Sequence, residues 1–440
     1  MAVSVAGGTD VGRPFRMTSH DARAVDSTVR PRLLRQTAHV TTLSELALLA
    51  RARPAMAAVL LGGRALRRPL VKVPGLGWVT SDPVVSREIL KDGASFTILD
   101  EGGVGHLWGQ ILGEWVFELF DGPGHHDLRT RARDLFTKAT ATAIVDDAWG
   151  ASLAAARRTL AAGGTVDVGP LSRTLVGRMM TTVLGIVPPP RRASDAPWPT
   201  DAEALETFRT GERLASVALG TGGSTHLSPD QVATARGIVA ELTSGGPVGW
   251  AHAPAHLLLG RCRELGLSLE ETTGIASLLM VAGTETSASA MARTTALLID
   301  TGEQTRLLAG LARGEALWDD VVREGLRVTS PASVIGRGVA ADVEVAGRTM
   351  RAGERVMMLV WSANTAPGPF RVDRPYLPDN RQLWFGAGRH LCLGAALARA
   401  ELEHLLRALF EDGPLEIVRR RAQARVIVPT YRTLEVRRVG

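Results

Sequence analysis

Hydrophobic positions recur every three or four residues over long stretches of the chain, which is typical of helices packed around a shared core. The pattern predicts helices over 44–66, 83–91, 125–138, 202–219, 228–243, 250–265, 268–300 and 393–410, with two more between 141 and 186. Strand or hairpin signals lie near 70–80, 332–337, 346–353 and the C-terminus. We therefore expect a mainly α fold with a small β region.

The longest predicted helix opens with a capping box, Ser268 and Glu271, and has an unusual centre. Residues 282–287 read Ala-Gly-Thr-Glu-Thr-Ser within an otherwise apolar helix. Glycine weakens a helix, and hydroxyl and carboxyl side chains compete for its backbone hydrogen bonds. The segment indicates a functional kink; the alternative is a helix whose hydroxyls bond to carbonyls one turn back.

A second unusual segment, residues 385–394, precedes the last predicted helix and reads Phe-Gly-Ala-Gly-Arg-His-Leu-Cys-Leu-Gly. Its glycines allow a tight turn and close approach to a flat partner. The cysteine would lie at a helix N-terminus, where unpaired N–H groups and the helix dipole favour a thiolate. Cys392 is therefore a candidate anionic sulfur ligand, and the alternative is a buried structural cysteine.

The composition excludes several other classes of protein. The chain has 440 residues, 45% of them hydrophobic, and no repeat divides it, so we expect an N-terminal extension over 1–45, partly disordered or surface-draped, and one domain over 46–440. Two cysteines cannot build a disulfide framework, and no signal peptide is evident, so we expect a cytoplasmic protein. The net charge of +6 is interleaved with acidic residues, which argues against nucleic-acid binding. The apolar runs are too short for a membrane span.

The spacing Phe-Gly-x-Gly-x-His-x-Cys-x-Gly resembles the haem-binding loop of the cytochrome P450 superfamily, the haem-thiolate monooxygenases. The centre of the long helix is similar to that family's oxygen-activation segment, Ala-Gly-x-Asp/Glu-Thr-Thr/Ser. The resemblance implies a cytochrome P450-like fold with haem b (iron protoporphyrin IX) held by Cys392. It also implies insertion of one oxygen atom from O2 into a hydrophobic small molecule, with hydroxylation the expected reaction.

The resemblance further implies roles for individual residues. Thr286 would hold oxygen and an ordered water, and Glu285 would pass protons from solvent. The small residues Ala282 and Gly283 would leave space for oxygen above the iron. The expected catalytic and cofactor-binding residues are Thr286 and Glu285, then Ala282, Gly283, Phe385, Gly386 and Gly394, and the propionate partners His125, Arg129, Arg337 and His390. His126 is the alternative to His125 as the propionate-binding histidine.

A Glu-x-x-Arg signature on the next helix, Glu324 and Arg327, matches the family's scaffolding pair. The family adds a third member downstream, for which Arg374 is the candidate, although Pro375 stands where an aromatic residue is usual. The expected substrate-pocket residues are Leu279, Val334 and Ile335, with Trp108 and Trp115 on a flap. These apolar residues imply a hydrophobic substrate, and an intermediate of secondary metabolism is our expectation.

No flavin or nicotinamide domain is evident, so the resemblance implies external electron donors, a ferredoxin and a ferredoxin reductase. A basic patch for the ferredoxin would comprise Arg129, Arg131, Arg133, Lys138 and Arg389. We expect a monomer. Two alternatives stay open: the same site could perform epoxidation, oxidative C–C coupling or peroxide-driven chemistry, or the protein could be a haem-binding sensor or carrier without catalysis.

Overall fold

A computed structural model describes residues 45–66, 68–100, 104–112, 115–186, 199–219 and 227–439. The predicted N-terminal extension therefore lies outside the described residues, apart from Glu45 at its end. The described residues are mostly helical with small sheets, which confirms the predicted fold class. Among them, no helix is both long and apolar enough to cross a bilayer.

The helices occur in the following order along the chain. They are α1 (45–52), α2 (Pro54–Arg64), α3 (Pro83–Lys91), α4 (Val104–Leu112), α5 (Trp115–Phe120), α6 (His125–Ala132), α7 (Lys138–Ala161), α8 (Val168–Val183), α9 (Asp201–Leu219), α10 (Pro229–Leu242), α11 (Gly246–His252), α12 (Leu258–Glu264), α13 (Leu269–Asp300), α14 (Glu303–Ala312), α15 (Trp318–Thr329), α16 (Val360–Thr365) and α17 (Ala395–Phe410). Short 3-10 turns occupy Arg133–Phe136, Leu383–Phe385 and Gly388–His390.

Three small sheets flank the helices. Their strands are β1 (Val71–Val73), β2 (Gly77–Thr80), β3 (Phe96–Thr97), β4 (Thr165–Asp167), β5 (Ile335–Val339), β6 (Val343–Val345), β7 (Arg348–Met350), β8 (Arg355–Met358), β9 (Leu415–Ala422) and β10 (Tyr431–Arg438). The sheet orders are β1-β2-β8-β5-β3, β4-β10-β9 and β6-β7. Strands β2 and β8 are parallel and the other pairs are antiparallel. The first sheet positions β5, which carries Arg337.

Helix α13 is the centre of the helical part. Its predicted capping box is present, since Ser268 Oγ accepts from the Glu271 amide and the Glu271 carboxylate accepts from the Ser268 amide. The helix packs against α8, α9, α15 and α17. It continues without interruption through residues 282–287, where the sequence predicts a kink. The hydroxyls of Thr284 and Thr286 donate to carbonyls one turn back, so they are satisfied inside the helix.

Two predicted helices are divided in the structure. The helix predicted over 125–138 ends at Ala132, because the Thr137 side chain accepts from the Thr140 amide and caps a new helix, α7. The helix predicted over 250–265 is likewise two helices, α11 and α12. Pro254 lies between them and has no amide hydrogen to continue the first. The strand β4 between α7 and α8 was missed because three residues are too few for a periodic signal.

A buried ion pair attaches the start of the described chain to α13. Arg293 and Glu45 are almost wholly inaccessible, with exposed side-chain fractions of 0% and 4%. Arg293 donates from Nε to Glu45 Oε2 at 3.1 Å and also from Nη2 to the same oxygen. Because two desolvated charges satisfy each other there, removing either one leaves the other unpaired in the core.

We predict that Glu45→Gln lowers the free energy of unfolding by about 3–5 kcal/mol, since it leaves the buried Arg293 charge unpaired. The matched control is Asp412→Asn, which breaks a pair with Arg157 whose side chains are 42% and 44% exposed. Exposed pairs contribute about 0–1 kcal/mol, so the control should be nearly neutral. Denaturant titration measures the free energy of unfolding of both variants. Equal losses would contradict the conclusion that Glu45 and Arg293 form a stabilising buried pair.

Candidate active site

The cysteine segment folds as a tight loop between the 3-10 turn at Leu383–Phe385 and α17. Its glycines Gly386 and Gly388 have positive φ values of 78° and 67°, a conformation that side chains rarely adopt. The amide of Cys392 donates to the Phe385 carbonyl at 3.0 Å, which closes the loop on itself. The sequence therefore correctly predicts a tight glycine turn before a helix.

Cys392 lies just before α17 and is not its cap. The helix starts at Ala395 with Gly394 as the N-cap residue. Burial raises the pKa of the Cys392 thiol, while a hydrogen bond from the Gly394 amide and the charge of Arg129 oppose that rise. The helix start therefore favours the thiolate through one amide, and a thiol whose pKa is raised in this way needs a further positive partner to ionise readily.

Cys392 faces a cavity of about 320 Å³ between α13, α17 and β5. Of the residues predicted to bind a cofactor or substrate, the cavity is lined by Leu279, Ala282, Gly283, Thr286, Ile335, Arg337, Arg129, Phe385, Gly386, His390, Gly394 and Trp108. Further apolar lining comes from residues that the sequence does not single out, Ile98, Phe120, Met179, Met180, Ile275 and Leu278. The cavity therefore combines one thiol with mostly apolar walls.

One edge of the cavity carries buried positive charge. Arg337 is 4% exposed and donates to the Gly336 carbonyl at 2.7 Å. Burial lowers the pKa of Arg337 to about 10, although the charge of Asp121 opposes the effect. Burial also lowers the pKa of Arg129, which donates to the Leu391 carbonyl. Within the described residues, neither guanidinium has a carboxylate at ion-pair distance, so both could pair with an anionic group.

His125 lies at the same edge and is buried, whereas His126 is exposed. Nδ1 of His125 lies 2.7 Å from the Leu119 carbonyl oxygen, which can only accept a hydrogen bond. Nδ1 therefore carries the proton, and Nε2 is the acceptor nitrogen of the neutral ring. Burial, together with the charges of Arg389, His390 and Arg129, lowers the pKa of His125. An anion beside the ring would oppose these effects. The burial of His125 and the exposure of His126 therefore favour His125 as the candidate propionate partner.

His390 is held on both sides by protein groups. Its Nε2 lies 2.7 Å from the Phe120 carbonyl and 3.0 Å from Asp121 Oδ1, while Nδ1 lies 3.4 Å from Arg337 Nη2. Asp121 also accepts from the Thr97 hydroxyl at 2.8 Å. His390 therefore orients Arg337 and contacts Asp121, a residue for which the sequence predicts no role. Its predicted role as a direct propionate partner stays a prediction.

The two predicted catalytic residues lie on different sides of α13. Thr286 lines the Cys392 cavity and donates to the Ala282 carbonyl at 2.7 Å. Glu285 instead lines a separate cavity of about 10 Å³, together with Arg173 and Glu212. That volume is of the order needed for one water molecule. Burial, then the charge of Glu212, raises the pKa of Glu285 to about 7.

The predicted scaffolding residues form one buried cluster below the loop. Arg327 donates to both oxygens of Glu324, at 2.7 Å and 2.5 Å, and Arg374 donates to Oε1 at 2.8 Å. The amide of Arg371 donates to the same oxygen at 3.1 Å. The structure therefore brings Arg374 to the pair, despite the adjacent Pro375. Every oxygen of the buried carboxylate is thereby satisfied.

Two predicted pocket residues lie away from the cavity. Val334 packs in a separate cluster with Leu49 and Trp361 instead, because its neighbours Ala332 and Ile335 take the inward positions. Trp115 packs against Gly274, where an added Cβ would lie 2.5 Å from its ring. The residues missed at the site include Met179, Met180, Glu212 and Glu401. Their signal in the sequence was indistinguishable from helical core or helix surface.

The family model described as cytochrome P450 matches residues 316–421. The "Putative cytochrome P450 140" of Mycobacterium tuberculosis is 39% identical over 175 residues, which cover 37% of this chain and 39% of the relative. The "Biotin biosynthesis cytochrome P450" of Bacillus subtilis is 34% identical over 164 residues, covering 36% of this chain and 40% of the relative. The alignments thus span about two fifths of the length of these relatives.

The fold extends the similarity over most of the chain. The crystal structure of P450BioI in complex with an acyl carrier protein ligated to hexadec-9Z-enoic acid superposes with a TM-score of 0.66. It is 22% identical, and the superposition covers 87% of this chain and 98% of that chain. Together with the family match and the curated relatives, this confirms the resemblance inferred from the motifs. Residues 316–421 thus match the cytochrome P450 family model, and most of the chain has the fold of a cytochrome P450 structure.

Members of this family bind haem, and the residues present fit that group. A haem presents a flat apolar body, an iron that accepts a thiolate, and two anionic propionates. The cavity offers apolar walls, the thiol of Cys392 and, at one edge, the cations Arg337 and Arg129, neither of which has a carboxylate partner among the described residues. This donor set matches the three parts of the cofactor.

We predict that Gly388→Ala destabilises the cysteine loop by about 1–3 kcal/mol, because an alanine would be strained there. Gly388 has φ +67°, and an added Cβ would lie 2.3 Å from the Leu90 carbonyl oxygen. The matched control is Gly237→Ala in α10, where an added Cβ meets nothing within 4 Å. That change should stabilise the protein by roughly 0.5–1 kcal/mol. Thermal unfolding measures both, and shifts of the same sign would contradict the account.

Proposed function

We propose that the protein is a haem-thiolate monooxygenase that inserts one oxygen atom from O2 into a hydrophobic small molecule, with hydroxylation as its reaction. The observation that carries the proposal is the placement of Cys392 and Thr286 in one mostly apolar cavity with the cations Arg337 and Arg129 at its edge. A haem sensor or carrier would need the thiol and the cations. It would not need a hydroxyl on α13 with an acidic neighbour.

In this proposal haem b, when bound through Cys392, supplies the redox chemistry that activates dioxygen, and a thiolate ligand favours O–O cleavage. Arg337, Arg129 and His125 would hold the propionates. The apolar walls exclude water, which limits side reactions and strengthens the electrostatic interactions inside the site. Thr286, whose hydroxyl hydrogen is donated to Ala282, keeps its oxygen lone pairs free to accept a hydrogen bond from a water or a protonated group.

Protons would reach Thr286 from the far side of α13. Glu285 shares its small cavity with Glu212 and Arg173. Burial also raises the pKa of Glu212, with Arg173 and Arg209 opposing it. Two carboxyls with raised pKa values, next to space for one water, can pass a proton between them. In this proposal, rotation of the Glu285 side chain would deliver that proton across the helix.

The substrate is proposed to be hydrophobic and uncharged where it enters the cavity. The charged residues that line the cavity are Arg129, Arg337, His390 and Glu401, and the first three lie at the propionate edge. One structural neighbour, P450BioI, is in complex with an acyl carrier protein that is ligated to hexadec-9Z-enoic acid, a lipophilic group. An intermediate of secondary metabolism stays our proposal for this chain.

Electrons are proposed to come from a ferredoxin and its reductase. The structure alters the expected docking patch, because Arg131 pairs with Glu271 at 2.6 Å and with Asp127 at 2.9 Å. The Arg131 guanidinium group therefore links α6 to α13, and its charge is already paired within the protein. Arg133 and Lys138 have side chains that are 74% and 80% exposed, so they are the better candidates to meet an acidic partner.

The direct test of the proposed function is turnover with isotopically labelled O2 in the presence of a bacterial ferredoxin and reductase. A panel of hydrophobic compounds is first screened for spectral shifts of the haem. We expect one labelled oxygen atom in the product of a binding compound. Product labelled only from water, or binding without consumption of O2 for every compound that binds, would argue for the carrier or for other chemistry at the same site.

We predict that Glu285→Gln lowers turnover by roughly 10²-fold, as expected when a general acid is lost. The wild-type rate should fall as pH rises through about 7, because the protonated form of Glu285 is lost above its raised pKa. The glutamine variant should lack this decrease. The rate of product formation between pH 6 and 9, measured at saturating substrate, tests both points; matching profiles would remove Glu285 from the proton route.

We predict that Arg133→Glu slows ferredoxin-driven reduction several-fold at low ionic strength without changing substrate affinity, since it places a negative charge in the docking patch. Salt should reduce the difference from wild type, because screening weakens exposed charge pairs. Arg348→Glu on the β6–β7 hairpin makes the same charge change elsewhere and is the control. Stopped-flow reduction measures the rates, and equal slowing by both variants would exclude a local patch.

A further inference from the structure

Asp121 lies beside the propionate edge of the cavity, in the turn between α5 and α6, and none of the expected roles uses it. Its side chain is 12% exposed. Oδ2 accepts hydrogen bonds from the Thr97 hydroxyl at 2.8 Å and from the Ile98 amide at 3.2 Å. Oδ1 lies 3.0 Å from His390 Nε2 and 3.7 Å from Arg389 Nη1. Both carboxylate oxygens therefore have partners on other segments of the chain.

These contacts join three segments at the site, namely the end of β3, the turn that carries Asp121 and the cysteine loop. The turn is itself held in place, because the Gly124 amide donates to the Glu118 carboxylate at 2.6 Å. It leads directly into α6, which carries His125 and Arg129. Asp121 therefore connects the basic residues of the cysteine loop with those of α6.

The contacts of His390 determine which of its ring nitrogens carries a hydrogen. Nε2 faces two acceptors, the Phe120 carbonyl oxygen at 2.7 Å and Asp121 Oδ1 at 3.0 Å. Neither a carbonyl nor a carboxylate can donate, so Nε2 is the donor. The ring then presents Nδ1 to Arg337, whose Nη2 is 3.4 Å away. Asp121 thus helps to orient His390, and His390 orients Arg337.

Asp121 also brings a negative charge to this edge. Burial raises the pKa of Asp121, but the hydrogen bonds from His390, Thr97 and the Ile98 amide outweigh burial and lower it. The charge of Asp121 acts on Arg337 as well, since it opposes the effect of burial on the pKa of that guanidinium. The propionates of a bound haem would lie in the same field, so Asp121 contributes to the electrostatic potential at the haem.

We propose that Asp121 is a positioning residue of the haem site, which fixes His390 and through it Arg337, and whose charge lowers the reduction potential of the haem. The inference rests on the proposed function only for the binding of haem and does not depend on oxygen insertion. Reduction adds an electron to the site, and a fixed negative charge nearby makes that addition less favourable. Removing the charge while keeping the shape should therefore make the potential more positive.

A purely structural role makes a different prediction. If Asp121 only tied β3 to the cysteine loop, losing one of its hydrogen bonds and losing its charge would have similar effects. Thr97→Val removes the hydroxyl that donates to Asp121 and leaves the charge in place. Asp121→Asn keeps the size of the side chain and an oxygen that can accept from His390, but it removes the charge. The two variants therefore separate anchoring from electrostatics.

The first experiment measures the midpoint reduction potential of the substrate-free haem protein by spectroelectrochemical titration. We expect Asp121→Asn to shift the potential to a more positive value. Thr97→Val should stay close to wild type, as should the control Asp412→Asn, which removes an exposed carboxylate paired with Arg157. An unchanged potential in Asp121→Asn, or a shift of equal size in Thr97→Val, would overturn the proposal.

The second experiment detects the ring N–H of His390 by NMR of protein labelled with ¹⁵N-histidine, in the diamagnetic reduced form with carbon monoxide. We expect a hydrogen-bonded N–H signal from Nε2 that is absent in His390→Gln, the variant used for assignment. Asp121→Asn should shift the signal upfield, because a hydrogen bond to a neutral amide oxygen is weaker than one to a carboxylate. A ring hydrogen found on Nδ1 alone would contradict the proposed orientation.

A further variant covers the case in which Asp121→Asn does not retain haem. Asp121→Glu keeps the negative charge, so it should bind haem with a potential close to that of the wild type. A clearly positive shift in Asp121→Glu would overturn the electrostatic role. The carbon monoxide spectrum and the thermal unfolding midpoint of each variant show whether the haem site and the fold are intact.

The outcomes separate this inference from the proposed function. If the wild type forms no product with any compound, but the potential and the N–H signal respond to Asp121→Asn as expected, the proposed function fails and the inference stands. If the wild type is an active monooxygenase and Asp121→Asn matches it in both potential and N–H signal, the proposed function stands and the inference fails.

Discussion

A thiol that faces an apolar cavity can act as a ligand only if its backbone holds it at a fixed position, and the hydrogen bond from the Cys392 amide to the Phe385 carbonyl does so. The two glycines with positive φ make this closure possible. Helix α17 begins three residues after Cys392 and packs against α13, so the loop is held between two elements of the core. The positions of Thr286 and Glu401 relative to the cysteine depend on that arrangement.

The packing of α17 and the cysteine loop against α13 also determines where the charged residues lie around the cavity. At one edge lie Arg337 and Arg129, which have no carboxylate partner in the part of the chain that the structure describes, whereas the acids Glu285 and Glu401 have raised pKa values. Burial favours the neutral form of each acid and disfavours the charged form of each base. The site is thus suited to an anionic cofactor edge and to proton donation close to neutral pH. The fully paired cluster of Glu324, Arg327 and Arg374 shows the contrasting case of a structural carboxylate.

Local patterns predicted much of the fold. The capping box at Ser268 and the helix Pro83–Lys91 were both correctly predicted, because caps and prolines mark helix ends through nearby backbone groups. The break at Thr137 and the strand Thr165–Asp167 were missed. The first depends on one side-chain hydrogen bond, and the second on pairing with β10, more than 260 residues away in the sequence.

The site shows the same division. Motif spacing predicted Cys392, Thr286 and the His125–Arg129 pair, because each depends on neighbours within a helix or a tight loop. Sequence reasoning could not separate the sides of α13, so Glu285 was expected beside Thr286 and lies in a different cavity with Arg173 and Glu212. Val334 was predicted to line the cavity, but its neighbours Ala332 and Ile335 do so instead. Glu401 reads as an ordinary helix residue until tertiary packing buries it.

The central claim is that Cys392 ligates haem as a thiolate. The most direct test is the difference spectrum of the dithionite-reduced protein with and without carbon monoxide, for wild type and for Cys392→Ser. The account predicts a strongly red-shifted Soret band in wild type that is absent in the variant, because only a thiolate ligand shifts the band in this way. A band of the kind given by histidine or neutral thiol ligation, unchanged by the substitution, would contradict it.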